Sequence, residues 1–350
     1  MTGRSAAVQG GLAVLGLLVA NFTWQREPER APGEVTVIDA SKNDVPRLRY
    51  EDDANILGLE RRTENGEPAV WVHLEPKAPK PAPPKASDKS SPPGPPPPPE
   101  EPATPPRDVR GNADALKLAD RFAPLVSPRA FGALQGDKLN ELGLDKPTRH
   151  LEVTVRGDTR KYDVGIALNA QNGEAFLRDV RDGRIYLMPR QLLGELTNGK
   201  RLVDPRLHTF DSKEFDKVAV TLGGKTREWI HLGRDNFQTD AYASAKTPDK
   251  HDVTAKNWLD SVWRTFPMEV LGKDEVPKGG PPKVAFRVDY TEKGKPVGFI
   301  EIARGGTSGD GASIEPQDNI FARSEHSVGW ARLHSGDMLI SDAEKLFASP

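Results

Sequence analysis

The chain has 350 residues, room for two ordinary domains, and its 49 Lys and Arg against 51 Asp and Glu leave a net charge of −2. Without a basic field to hold a phosphate backbone, no nucleic acid partner is expected. Cysteine is absent, which excludes disulfides, thiolate chemistry, Cys-ligated zinc and a lipid-modified cysteine together.

The chain opens MTGRSAAVQGGLAVLGLLVANFTWQREPER, in which Arg4 precedes an uncharged run over residues 5–25. As a helix, residues 6–24 would span about 28 Å at about 1.5 Å per residue, close to the roughly 30 Å hydrocarbon core of a bilayer. Leu18-Val19-Ala20 is a poor cleavage site, and Trp24 is placed where an aromatic ring suits the membrane interface. We expect an uncleaved single-pass anchor in the inner membrane with the body extracytoplasmic, in the periplasm; a cleaved signal and a buried helix of a soluble protein are the alternatives.

Residues 34–75 read as a small β unit. VTVID, PRLRY, ILGLERR and AVWVHL are strand-like, and Asn65-Gly66 is a tight-turn signal. Residues 76–110 form a Pro-rich linker, much of the chain's 32 prolines, expected to be disordered because proline removes donors and fixes φ. It reads first as a tolerated loop insertion, with a spacer or a docking strip for a Pro-recognising partner as the functional alternatives.

A first α+β repeat is expected over 112–210. ADALKLADRFA is helical by spacing, with Asn112 as cap and Leu116, Ala119 and Phe122 on one face. Strands follow at 150–156, 160–168, 174–179 and 184–189, with Asn172-Gly173 and Asp182-Gly183 as turns, and a short helix stops at Asn198-Gly199. A second β stretch and repeat occupy 215–350. VAVTL and TREWIHL flank Gly223-Gly224, and the helix AKNWLDSVWRTF lines up Trp258, Val262 and Phe266. Strands at 283–290, 296–302, 319–323 and 328–333 and the helix SDAEKLF complete it. Leu151, Val153 and Val155 recur as Val284, Phe286 and Val288 at the spacing that carries Val164-Gly165 onto Val297-Gly298. Farther on, Phe176 and Arg178 match Phe321 and Arg323, and Tyr186 matches Trp330. The fold class expected is α+β: an N-terminal transmembrane anchor, then duplicated units of helix plus antiparallel sheet with a Pro-rich insertion.

With Trp71, Leu74 and Pro76 closing the small β unit, then LGLDKP, then YDVGIA and AFLRDVRDGRIYLMPRQLLGEL, the chain resembles domain-of-unknown-function family 4340 over nearly everything after residue 34. The resemblance implies an anchored, extracytoplasmic, β-rich protein, often encoded beside gliding-type ABC transporters, with no established catalytic residues. The Pro-rich insertion and the Gly-rich loop at 304–313 depart from the family pattern.

Candidate chemistry is sparse. Histidines at 73, 150, 208, 231, 251, 326 and 334 show no metal-ligand spacing and read as exposed or strand-edge, so no metal and no cofactor is expected. RSEHSVGWARLHSGD holds Ser, His and Asp but no nucleophile elbow, so no catalytic residue is assigned there. ARGGTSGDGAS lacks the Lys-Ser/Thr ending of a phosphate loop and reads as a hairpin tip, and Trp258 and Trp263 read as core. The expectation is a non-enzymatic accessory protein that binds protein partners, ABC-transporter subunits among them. A structural envelope-spanning role for the Pro-rich spacer, or a hydrolase using His326 or His334, are the alternatives.

Overall fold

The computed structural model describes residues 33–64, 66–78, 104–167, 174–236, 238–277, 279–306, 319–334 and 336–348. The expected anchor, the middle of the Pro-rich stretch and the Asn172-Gly173 turn lie outside these. No described helix is long and apolar enough to cross a membrane.

The first unit starts with β1 (Val35–Ile38), β2 (Arg47–Glu51), β3 (Asn55–Glu64), β4 (Glu67–Pro76) and β5 (Arg107–Arg110). The helix α1 (Ala113–Asp120) follows, then β6 (Leu125–Ser127), β7 (Ala130–Ala133) and α2 (Asp137–Glu141). It ends with β8 (Arg149–Val155), β9 (Asp158–Ile166), β10 (Ala175–Asp179), β11 (Arg184–Met188) and α3 (Arg190–Thr197). The second unit runs β12 (Lys217–Leu222), β13 (Lys225–Leu232), β14 (Ala241–Ser244), α4 (Val253–Trp263) and β15 (Pro267–Val270). It finishes with β16 (Lys283–Glu292), β17 (Lys295–Arg304), β18 (Ile320–Ser324), β19 (Ala331–Leu333) and α5 (Asp337–Ala348).

The fold is β-rich α+β, with three antiparallel sheets. The sheet orders are β5-β4-β3-β2-β8-β9-β10-β11-β7 and β14-β13-β12-β16-β17-β18-β19-β15, with β1 and β6 pairing apart. Strand for strand, the second large sheet repeats the first without β5. The strands of 34–75 therefore do not make a unit of their own: β2, β3 and β4 join β8 in one sheet, as β12, β13 and β14 join β16.

The local causes are ordinary. Arg156-Gly157 and Lys293-Gly294 both take positive φ, the requirement of the two-residue turns that close β8–β9 and β16–β17. Asn112 accepts from the Asp114 and Ala115 amides, and Asp252 accepts from Ala255, so the two first helices begin alike. The buried face of α1 is Ala115, Leu118 and Ala119 rather than Leu116, and Phe122 is buried just beyond its end. In the second unit the helix stops at Trp263, and Phe266, expected on its buried face, is 73 % exposed. The residue before a proline is driven out of helical geometry, and Pro267 starts β15.

Each unit packs its helices against its sheet over its own core. Val153 and Leu151 are fully buried in the first, Val288 and Ile300 in the second, and Val270 touches both.

Hydrogen-bond register corrects the residue matching. Phe176 faces Gly165 and Phe321 faces Ala303, so Gly165 corresponds to Ala303 and not to Gly298. Counted from the turns, Leu151 corresponds to Val288, and a bulge near Tyr290 absorbs one extra residue in β17. Tyr186 corresponds to Ala331, with Trp330 in the place of Ile185. The Phe176–Phe321 and Arg178–Arg323 matches agree with the register. Asp163 pairs with Arg178 at 2.6 Å and Glu301 with Arg323 at 2.7 Å, while His150 and Arg287 occupy the other side of each carboxylate.

The stretch ELGLDKP crosses the outer face of the first sheet. There Leu144, Phe176 and Ile185 form a second, small core with Leu139 and Leu142. A Cβ on Gly165 would sit 2.2 Å from the Leu142 carbonyl oxygen, so glycine is the residue that lets the chain lie this close. Gly165→Ala is expected to destabilise by about 3 kcal/mol. Gly194→Ala, on α3 with nothing within 4 Å of the new methyl, should stabilise by up to about 1 kcal/mol. Denaturant midpoints of the two variants check the contrast, and equal midpoints would refute the packing argument.

Candidate functional site

A concave surface lies between the units. A cleft of about 470 Å³ is walled by Ile56, Leu57, Leu74 and Leu196 of the first unit and by Pro267, Met268, Glu269 and Val270 of the second. That volume is in the usual range of ligand pockets, and junctions between domains are a usual place for them. Thr104 and Pro105, at the return of the Pro-rich insertion, line it, as does Pro76 at the insertion's start. A second hollow of about 570 Å³ shares Pro105 and is lined by Trp71, Arg62 and residues 272–275.

The strand β5 holds this junction together. It pairs with β4 from Arg107 opposite Leu74 to Arg110 opposite Trp71, and fully buried Val109 pins it to the first core. Residues 107–110 are thus a strand, although the sequence reading assigned them to the Pro-rich linker. Arg107, its side chain 13 % exposed, donates from Nε and Nη2 to the two Glu275 oxygens, both at 2.7 Å, and from Nη1 to Glu269 at 2.6 Å. Arg332 meets the other Glu269 oxygen at 3.1 Å. Burial works to raise the Glu269 carboxyl, but Arg107 and then Arg332 hold it below its ordinary value.

At the other end of β5, Arg110 Nη1 donates to His326 Nδ1 and to the His326 carbonyl, both at 2.9 Å. His326 Nε2 lies 3.0 Å from Asp204 Oδ2, and Arg206 grips the same carboxylate at 2.7 Å. Asp204 is buried, which alone would raise its carboxyl, yet hydrogen bonds from His326 and Arg206 hold it well below the usual range. Because Asp204 and Glu269 sit below their unfolded values, they add stability above the ordinary carboxyl range near pH 4, and that stability disappears as pH falls through the folded values. The urea midpoint is expected to hold through neutral pH and fall below about pH 4. In Asp204→Asn that acid decline should be shallower; an unchanged decline would show that the cluster is not coupled to folding.

Several histidines are not where the sequence reading put them. His326 and His231 are buried, and the His208 side chain is 7 % exposed; His251 and His334 are exposed. His208 stacks on Trp263 at 4.7 Å and meets Glu325 at 3.1 Å. His231 stacks on Tyr242 at 4.5 Å and meets Asp240 at 2.6 Å. The aromatic core of the second unit supplies apolar walls, and a carboxylate on each ring makes its burial tolerable. His73 and His150 are partly exposed beside Asp108 and Asp163.

Among the described residues the Ser, His and Asp of RSEHSVGWARLHSGD do not assemble into a triad. Ser324 and Ser327 bond each other and the backbone, and the acid beside His326 is Asp204, far off in sequence. The ring nitrogen that would serve a nucleophile is taken by Arg110. Among the described residues no group of three or more His, Asp or Glu could hold a metal. The Gly-rich tip falls on residues 307–318, outside those described. Trp258 is core, and its Nε1 donates to the Leu339 carbonyl at 2.8 Å, tying α4 to α5.

The arrangement can grip a guest between two walls that mix apolar side chains with polar and charged ones, among them the mutually paired Arg107, Glu269 and Arg332. Comparison with known proteins found no matching family model, no similar curated protein and no similar solved structure.

Proposed function

We propose that the protein is a membrane-anchored, extracytoplasmic accessory protein that works by binding, with a body built by duplication of one α+β unit. The observation carrying this reading is the cleft of about 470 Å³, walled by both units and bordered by ion pairs rather than by a nucleophile and base. The repeated strand order supports duplication, since chance does not supply eight strands in the same order twice. The anchor rests on the uncharged run over residues 5–25. A protein partner from an ABC-transporter complex rests on the resemblance to domain-of-unknown-function family 4340.

Crosslinking of the full chain in intact membranes, followed by purification and partner identification, tests the binding role. Met268 lines the cleft and is 57 % exposed, so Met268→Asp should fold normally and lose the partner. A partner retained by Met268→Asp would move the binding surface elsewhere, and turnover of a substrate by the purified chain would replace the reading with an enzymatic one. The anchor is tested separately: the chain should stay with membranes through carbonate extraction and keep its first residues, and a soluble mature form starting near Asn21 would overturn it.

A further inference from the structure

Two hydrogen-bond donors among the residues that line the cleft have nothing to donate to. Tyr50 of β2 is 1 % exposed and lines the cleft, and among the described residues its hydroxyl has no hydrogen-bond partner. Burial pushes the phenol up to about 12, so it keeps its proton at neutral pH. The charges that act on it are those of Asp52, Arg149 and Asp53, which places it toward the end of the cleft that Asp52 and Asn55 line. Arg149 can only donate, so it gives the phenolic proton no acceptor. On the second unit's wall the Arg332 Nε is buried and likewise without a partner, although its Nη2 reaches Glu269 at 3.1 Å. A buried donor without an acceptor destabilises, and a guest that brings an acceptor relieves it.

We propose that the cleft takes a neutral, mostly apolar small molecule that brings acceptor oxygens and no donor, an acyl ester being the class that fits. The inference rests on the reading of this cleft as the binding surface and names what enters it. The charges decide against an ionic guest. Asp52, Glu75 and Glu269 line the cleft with Arg107, Lys200 and Arg332, three carboxylates against three cations, so the walls offer no net field. Arg107 and Arg332 are engaged with Glu269. A carboxylate reaching for the Tyr50 hydroxyl meets the charge of Asp52 there. An ammonium brings donors to a hydroxyl that itself needs an acceptor. An ester brings two acceptor oxygens and nothing to donate. Leu57, Leu74 and Leu196 of the first unit, with Met268 and Val270 of the second, give an acyl chain its apolar contact. A volume of about 470 Å³ suits a molecule of this size.

The test is equilibrium dialysis of radiolabelled methyl octanoate against the full chain in lipid nanodiscs, with empty discs as the blank. At neutral pH the ester should bind the parent more tightly than octanoate or octylammonium does. Tyr50→Phe should weaken the ester by about threefold to tenfold. Its thermal midpoint should be unchanged or higher, because it deletes a hydroxyl that no protein group receives. Met268→Asp, in the cleft wall and 57 % exposed in the parent, should lose the ester and keep the fold, and it decides the matter if Tyr50→Phe does not fold. No ester bound by the parent, tighter binding of either ion, or unchanged ester affinity in whichever of these variants folds overturns the inference. Displacement of the ester by a lower concentration of N-acetyl-trileucine amide also overturns it, and assigns the cleft to a peptide segment. Loss of the protein partner in Met268→Asp with no ester bound by the parent removes the ester and leaves the proposed function standing. Ester binding with the partner retained in Met268→Asp does the reverse.

Discussion

Val153→Asp is expected to unfold the first unit and leave the second standing. Val153 is fully buried on β8, opposite Leu48 of β2 and Arg160 of β9, in a core of apolar side chains. The substitution loses apolar burial and places a carboxylate in the core, which the half-buried Arg160 across the ladder offsets only in part, a cost of about 3 kcal/mol. That is a large share of the about 5–15 kcal/mol by which a domain is stable. The second unit keeps its own core, with Val270 as the residue shared between the two. Limited proteolysis should therefore leave a resistant fragment containing residues 212–348. Val288→Asp, on β16, should produce the reverse pattern. If either variant removes both units in a single step, the units stand only together and the two cores are not independent.

Arg107→Ala is expected to part the units without unfolding either. Its guanidinium makes three hydrogen bonds to two carboxylates of the second unit, and deleting it leaves Glu269 and Glu275 facing each other's charge in a half-buried site. Breaking such a pair from one side costs about 3 kcal/mol, much of it the stranded partner. Arg332 keeps one contact to Glu269, which limits the loss. Arg107→Lys should recover little, because an ammonium cannot span both oxygens of Glu275 as the planar fork does. Small-angle X-ray scattering reads the separation, and far-ultraviolet circular dichroism reads the secondary structure. A variant that keeps the parent's scattering dimensions, or one that loses its strand signal, would count against β5 as the element that joins the units.

The importance of Arg107 bears on how the insertion is understood. A proline-rich stretch interrupts the first unit between β4 and α1, and its far end is the strand that the second unit lacks. In the second unit the same place holds a single bridge between Ala243 and His251. The insertion thus returns as the edge strand that carries Arg107 and Arg110.

Most of the strands and their turns were legible in the sequence. Alternation in RHLEVTV and KVAFRVDYTE marks strands with one buried face, and the turns read at Asp182-Gly183 and Gly223-Gly224 take the positive φ that glycine allows. The existence of two similar halves was legible for the same reason. The pairing of residues between the halves was not. A strand repeats every two residues, so Leu151, Val153 and Val155 fall as well on Val284, Phe286 and Val288 as on Phe286, Val288 and Tyr290, and alternation cannot choose among such registers. The turn, the bulge near Tyr290 and the ladder to β10 and β18 choose, and they bring Val288 rather than Val284 to the place of Leu151. Nor could the sequence join β2, β3 and β4 to β8, because that pairing spans the insertion and α1. The site was hidden for a related reason. Arg107, Arg110, Asp204, Glu269 and His326 are common polar residues at unremarkable spacings, and each gains its meaning from a partner on another element. Local chemistry determined the elements; the docking of one sheet edge against the other unit determined which charges are buried, and burial is what makes them matter.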